Sequence, residues 1–167
     1  MNYILQCTKC KIALKNNLCP KCNQNFFNND DGFFNFTDNK LIFHNNSDFF
    51  LSNLLSEINI HGYSKALLDF IKINPKLEYR FDKREGNIAF RTLTQKNNRC
   101  LVINSDLGNI PEVLSQMFNE VYSLDVDEKR ILIQKYRFQE KNISNIILIK
   151  SDVENLPFSS DYFDLVV

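Results

Sequence analysis

Two CxxC pairs, Cys7-Thr8-Lys9-Cys10 and Cys19-Pro20-Lys21-Cys22, lie near the start of the chain with eight residues between them. Clustered thiols in a reducing compartment serve as metal ligands rather than disulfides. Four thiolates at the corners of a tetrahedron, each about 2.3 Å from the ion, form a closed zinc site. Cys7, Cys10, Cys19 and Cys22 are therefore the expected ligands of one structural Zn2+. A closed site has no open position for a substrate or an activated water, so the metal's expected task is to hold a core too small to fold alone. The intervening segment, Lys11 to Leu18, reads as a short hairpin turning at Asn16-Asn17. His44 and His61 fall outside the ligand spacing, and Cys100 stands apart inside an apolar run.

The charge balance narrows the partners. Lys and Arg number 20, and Asp and Glu number 20, in 167 residues. A chain without basic excess is not built to bind bulk nucleic acid or an anionic membrane, which reward counterion release. Residues 1–25 carry four lysines and no acid, but four thiolates around a divalent ion leave about two negative charges, which offsets most of that basicity. Nucleic-acid contact by this cysteine-bearing segment is the minor alternative. No stretch approaches the ~18–20 apolar residues of a membrane helix, and the first residues lack the basic and long apolar regions of a signal peptide. A cytoplasmic protein is expected. About one residue in seven is Asn, a genome-composition bias rather than a functional tract.

After the second CxxC pair comes Asn25-Phe26-Phe27-Asn28-Asn29-Asp30-Asp31-Gly32-Phe33-Phe34-Asn35-Phe36. Two CxxC pairs, an aromatic strand and Asp31-Gly32-Phe33, in that order, resemble the short zinc ribbon, related to methyltransferase-activator ribbons, that precedes many bacterial methyltransferase domains. The resemblance covers roughly residues 5–38 and places a ribbon domain at 1–38.

Residues 39–98 read as a helical linker or cap. Ser47 or Asp48 can cap a helix through Ile58, whose apolar residues recur at three- and four-residue steps. Ser64 can cap a second through Ile71, stopped before Pro75. A third candidate runs from Ile88 to Leu93. The mixed charges between Lys76 and Glu85 form a solvated segment.

From residue 99 to 167 short apolar runs alternate with helical stretches. Strands are predicted at Cys100–Ile103, Val121–Leu124, Ile146–Ile149 and Phe163–Val167, with helices at Pro111–Phe118 and Asp127–Phe138. Apolar strands joined by helical crossovers predict a parallel sheet covered on both faces. Right-handed crossovers place the loops after the strands at one edge, where open α/β sheets bind ligands. The fold class is α/β: a small four-cysteine zinc ribbon followed by a partial Rossmann-like parallel sheet with flanking helices.

Those loops carry a second resemblance. Cys100-Leu101-Val102-Ile103-Asn104-Ser105-Asp106-Leu107-Gly108, Tyr122-Ser123-Leu124-Asp125-Val126, Ser151-Asp152-Val153-Glu154-Asn155-Leu156-Pro157-Phe158 and Asp161-Tyr162-Phe163-Asp164-Leu165-Val166-Val167 are similar, in order and spacing, to the motifs of class I S-adenosylmethionine-dependent methyltransferases of the type 11 kind. The resemblance implies a cofactor site in which Asp125 accepts the ribose hydroxyls and Asp152 the adenine amino group. Val126 and Val153 would flank the ring, and Asn104, Asp106 and Gly108 would form the loop beside the methionine part. The residues alone leave another reading, with Asp125 capping the helix near Asp127 and Asp152 capping its own loop.

The departures from the family are specific. Asn104 and Asp106 stand where its loop has glycines, and Val102 stands where an acidic residue partners the methionine amino group. Asn and Asp tolerate left-handed backbone, so the turn is expected to survive. Asp106 also brings negative charge beside the cofactor's carboxylate, so weakened cofactor binding is expected unless neighbours compensate. The family needs about seven strands and four are seen here, which leaves three expectations: a longer protein, a partner covering the fourth strand, or a truncated remnant. The expected function is the N-terminal part of an S-adenosylmethionine-dependent methyltransferase acting on an unidentified acceptor. Such transfer needs alignment more than an acid or base, and no catalytic residue is assigned. The alternative is a catalytically inactive zinc-ribbon scaffold.

Overall fold

The computed structural model describes residues 5–38, 46–78 and 97–167. The predicted helix at 88–93 and most of the charged segment after Lys76 lie outside the described residues.

Strands β1 (Phe27–Asn28) and β2 (Phe33–Asn35) form a hairpin, followed by helices α1 (Asn46–His61) and α2 (Tyr63–Ile73) and a 3-10 turn at Pro75–Leu77. The alternating half then runs β3 (Asn97–Ile103), α3 (Asn109–Leu114), β4 (Phe118–Asp125), α4 (Glu128–Glu140), β5 (Ile146–Lys150) and β6 (Leu165–Val166). All four predicted strands and both helices of this half are present, with shifted ends. The helix predicted through Phe118 stops at Leu114 because Gln116 and Met117 donate to carbonyls only three residues back, at Val113 and Leu114, which tightens the chain into the start of β4.

Among the described residues, one sheet contains every strand, in the order β1-β2-β5-β4-β3-β6. The pairs β3–β4, β4–β5 and β3–β6 are parallel, as the alternating pattern demands. β2 joins the same sheet: it pairs with β5 in parallel register, Phe34 opposite Ile149 and Asn35 opposite Lys150. The ribbon is thus continuous with the sheet rather than tethered ahead of it.

The sheet's faces are covered by different means. Cys100, Val102 and Val121 face Val113 and Leu114 of α3, while Leu148 packs with Ile131 and Phe138 of α4 and with Phe33. On the opposite face, Leu101, Tyr122, Leu124, Ile147 and Ile149 share a core with Leu5, Cys7, Cys19, Phe26 and Phe34 of the ribbon, and Phe158, Tyr162 and Phe163 close it. Among the described residues, helices cover one face and the ribbon covers the other. Each buried Leu or Phe contributes about 1.5–3 kcal/mol, so the ribbon's contacts amount to a substantial part of the fold's stability.

The helical pair forms a further layer on α4. Leu51, Leu54, Ile58, Tyr63 and Ala66 pack with Ile133 and with Leu107, in the loop after β3. Ser64 does not cap α2. The helix begins at Tyr63 after Gly62, and the carboxylate of Glu140, at the end of α4, accepts the Ser64 amide at 3.1 Å. A cap drawn from a distant helix leaves no local sequence signal. Among the described helices, none is long and apolar enough to cross a membrane.

Candidate cofactor site and metal centre

The four sulfurs of Cys7, Cys10, Cys19 and Cys22 all lie within 4.8 Å of one another, and Cys7 Sγ is 3.8 Å from Cys22 Sγ. Tetrahedral ligation at 2.3 Å sets neighbouring sulfurs about 3.8 Å apart, so the donor set fits one zinc ion. Two similar knuckles bring them together. Cys7 N donates to Ile12 O and Lys11 N to Cys7 O; in parallel, Cys19 N donates to Gln24 O and Asn23 N to Cys19 O. Each knuckle needs a left-handed residue just after its second cysteine, and Lys11 (φ 54°) and Asn23 (φ 57°) supply it. Asn16 and Asn17 are also left-handed, which forms the turn between the knuckles. The backbone N–H of Cys22 draws the Cys19 thiol down to about 6, whereas burial among the other sulfurs pushes Cys10 up to about 12.

The loops after β3, β4 and β5 meet at one edge of the sheet. Ser105 N donates to Leu124 O and Ser151 N to Asp125 O, tying the three strand ends together. The loop after β3 contains three left-handed residues, Asn104 (φ 53°), Asp106 (φ 48°) and Gly108 (φ 86°). The turn therefore holds with Asn and Asp in place of glycine. Gly108 has a second role. A Cβ there would stand 2.8 Å from Phe138 Cζ and 3.0 Å from Gln134 Cγ, so only glycine lets the loop lie against α4.

Asp125 ends β4 and is 1% exposed. Its Oδ2 accepts the Asp106 amide at 3.0 Å and its Oδ1 the Asp127 amide at 3.0 Å. The helix cap is Asp127 instead, which accepts the Lys129 amide at 2.9 Å. Burial pushes the Asp125 carboxyl above its ordinary value, opposed by the Asp127 amide and by Arg130. Arg130 Nη1 lies 3.5 Å from Asp106 Oδ1 and 3.7 Å from Asp125 Oδ2. This guanidinium compensates the charge that Asp106 brings. Its sequence signal is weak, since an Arg in the first turn of a helix usually faces solvent.

Further along α4, Gln134 Nε2 donates to Asp106 O at 2.7 Å and to Ser105 Oγ at 2.9 Å. Arg137, 1% exposed, donates to Glu112 Oε2 at 2.7 Å, to Leu107 O at 3.0 Å and to Asn109 Oδ1. One helix thus fixes the loop's carbonyls from Asp106 to Leu107.

Asp152 is partly exposed in the loop after β5. Its Oδ1 accepts the Asn155 amide at 3.1 Å and its Oδ2 the Thr37 hydroxyl at 3.2 Å. Val126 is buried and Val153 is half exposed. A cleft of about 550 Å³ borders Thr37, Asp152 and Asn155 on the ribbon side. Cys100 is fully buried and burial pushes its thiol to about 12, which suits a core residue rather than a nucleophile.

Residues 105–167 match a family model described as a methyltransferase domain, which bears out the resemblance to class I methyltransferases over this segment. No curated protein matches the chain. Among solved structures, YcgJ from Bacillus subtilis is similar at 22% identity and a TM-score of 0.48, over 51% of this chain and 37% of that one. A putative S-adenosylmethionine-dependent methyltransferase from Methanococcus maripaludis is similar at 20% identity and a TM-score of 0.49, over 61% and 48%. The N-terminal domain of EvdMO1, solved with S-adenosylhomocysteine bound, gives 18%, 0.46, 54% and 40%. The chain spans less than half the length of each of these structures.

Proposed function

We propose that the chain forms the cofactor-binding half of a cytoplasmic S-adenosylmethionine-dependent methyltransferase, with a structural zinc ion in its ribbon. The observation that carries this reading is the meeting of Asp125, Asp152 and the left-handed loop at 104–108 at the carboxyl edge of parallel strands, within a segment that matches a methyltransferase family. S-adenosylmethionine, when bound, supplies a methyl group activated on a sulfonium centre. The chain's own residues bind and orient it. Asp125 is suited to the ribose hydroxyls as a charged acceptor, and Asp152 to the adenine amino group. Val126 and Val153 offer apolar contact, and the backbone at Asn104, Asp106 and Gly108 borders the methionine part. Cys7, Cys10, Cys19 and Cys22 hold the zinc.

A second reading, a catalytically inactive scaffold, is favoured by one observation: both oxygens of Asp125 already accept backbone amides beneath the loop, at 1% exposure. Titration calorimetry with S-adenosylhomocysteine decides between them. Micromolar binding that Asp125→Ala abolishes supports the enzyme. No heat from a folded, zinc-loaded sample overturns it in favour of the scaffold.

A further inference from the structure

The ribbon ends beside the candidate adenine residue. Asn35, the last residue of β2, accepts the Thr37 amide on its own Oδ1 at 3.2 Å, which turns the chain as it leaves the sheet. Phe36 N donates to Lys150 O at 2.8 Å, extending the β2–β5 pairing as far as the loop after β5. The turn aims the Thr37 hydroxyl at Asp152 Oδ2, 3.2 Å away. The ribbon holds the far end of the same loop through Gln6 N, which donates to Pro157 O at 2.8 Å, and through Lys11 Nζ, which donates to Asn155 Oδ1 at 2.5 Å. Asp152 is thereby fixed by its own loop on one oxygen and by the ribbon on the other.

We infer that Thr37 is a positioning residue of the cofactor site: its hydroxyl sets the orientation in which Asp152 recognises the adenine amino group, making the ribbon part of that site. The inference rests on the cofactor reading above. The Asn155 amide on Oδ1 and the Thr37 hydroxyl on Oδ2 together restrict how the Asp152 carboxylate can turn. Without the hydroxyl, Asp152 keeps the Asn155 amide but loses the ribbon's hold on Oδ2, and the loss falls on recognition of the amino group rather than on the fold.

The test compares S-adenosylhomocysteine with S-inosylhomocysteine, in which a carbonyl replaces the adenine amino group, by calorimetry on the whole zinc-loaded chain. The wild type should prefer the adenosyl compound by more than tenfold. Thr37→Val should bind it about five- to tenfold more weakly, with most of the preference lost and metal content unchanged, and Thr37→Ser should restore both. A wild type that binds the two compounds equally overturns the inference without any variant being needed. A Thr37→Val protein with wild-type affinity and preference overturns it while leaving the cofactor reading intact. A wild type that binds neither compound overturns both.

Discussion

Phe34, in the last strand of the ribbon, pairs in parallel register with Ile149, in the strand that leads to Asp152. Ribbon and sheet share that ladder and one apolar core, so they should unfold together. In metal-loaded protein, thermal unfolding followed by circular dichroism should give a single transition. A chelator should lower its midpoint by about 10 °C or more, given the large share of folding energy that structural zinc supplies. A ribbon that melts alone, with the sheet's transition unmoved, would contradict the shared core.

Gly108→Ala should destabilise the protein by about 2–4 kcal/mol, combining the left-handed penalty of a side chain with overpacking against Phe138 and Gln134. Urea unfolding should show a lower midpoint at unchanged slope. A cost under about 1 kcal/mol would mean that the loop can lift from α4 freely.

Arg130→Met should cost about 1–2 kcal/mol at neutral pH and little in acid. Burial raises the Asp125 carboxyl, so the folded chain holds a proton that the unfolded chain releases. Stability therefore declines as pH rises from the ordinary carboxylate value through the raised folded-state value, and is level above it. Arg130 restrains that rise, and its loss widens the window and deepens the decline. Below the ordinary carboxylate value Asp125 is neutral in both states and the variant should approach wild type. Urea midpoints across acidic to neutral pH check this, and a pH-independent cost would refute it.

Glu112→Gln should cost about 3–5 kcal/mol, because it leaves the Arg137 guanidinium buried without its counter-charge. Lys141, also paired to Glu112, is a third exposed and can turn to water. Arg137 has no such escape. Denaturant unfolding measures the loss, and a value within about 1 kcal/mol of wild type would show that Leu107 O and Asn109 suffice.

The parallel half was legible because each of its strands is a short apolar run bounded by turn residues, and Asn104 and Asp106 took the left-handed backbone that their short polar side chains tolerate. The docking of the ribbon was not. Phe33 and Phe34 announce a strand buried on both faces, but nothing local says that its neighbour is β5, some 110 residues later by number. The pattern predicts a sheet covered on both faces, and among the described residues the aromatic ribbon covers one of them. The burial of Asp125 was equally hidden, since it depends on the Asp106 amide and Arg130 arriving from two other segments. Glu140 capping α2 in place of Ser64 is a third case of the same kind.

Lys11 sits in the left-handed region at φ 54°, where seven of the eight non-glycine residues among those described are Asn or Asp. A lysine gains nothing locally from that backbone, which costs such a side chain about 1 kcal/mol or more. What it gains is reach: its ammonium spans 144 positions of sequence to Asn155. The knuckle thus accepts a discomfort of its own so that the small domain can clasp its neighbour. A glycine at position 11 would leave the ribbon more at ease and less firmly married to the sheet.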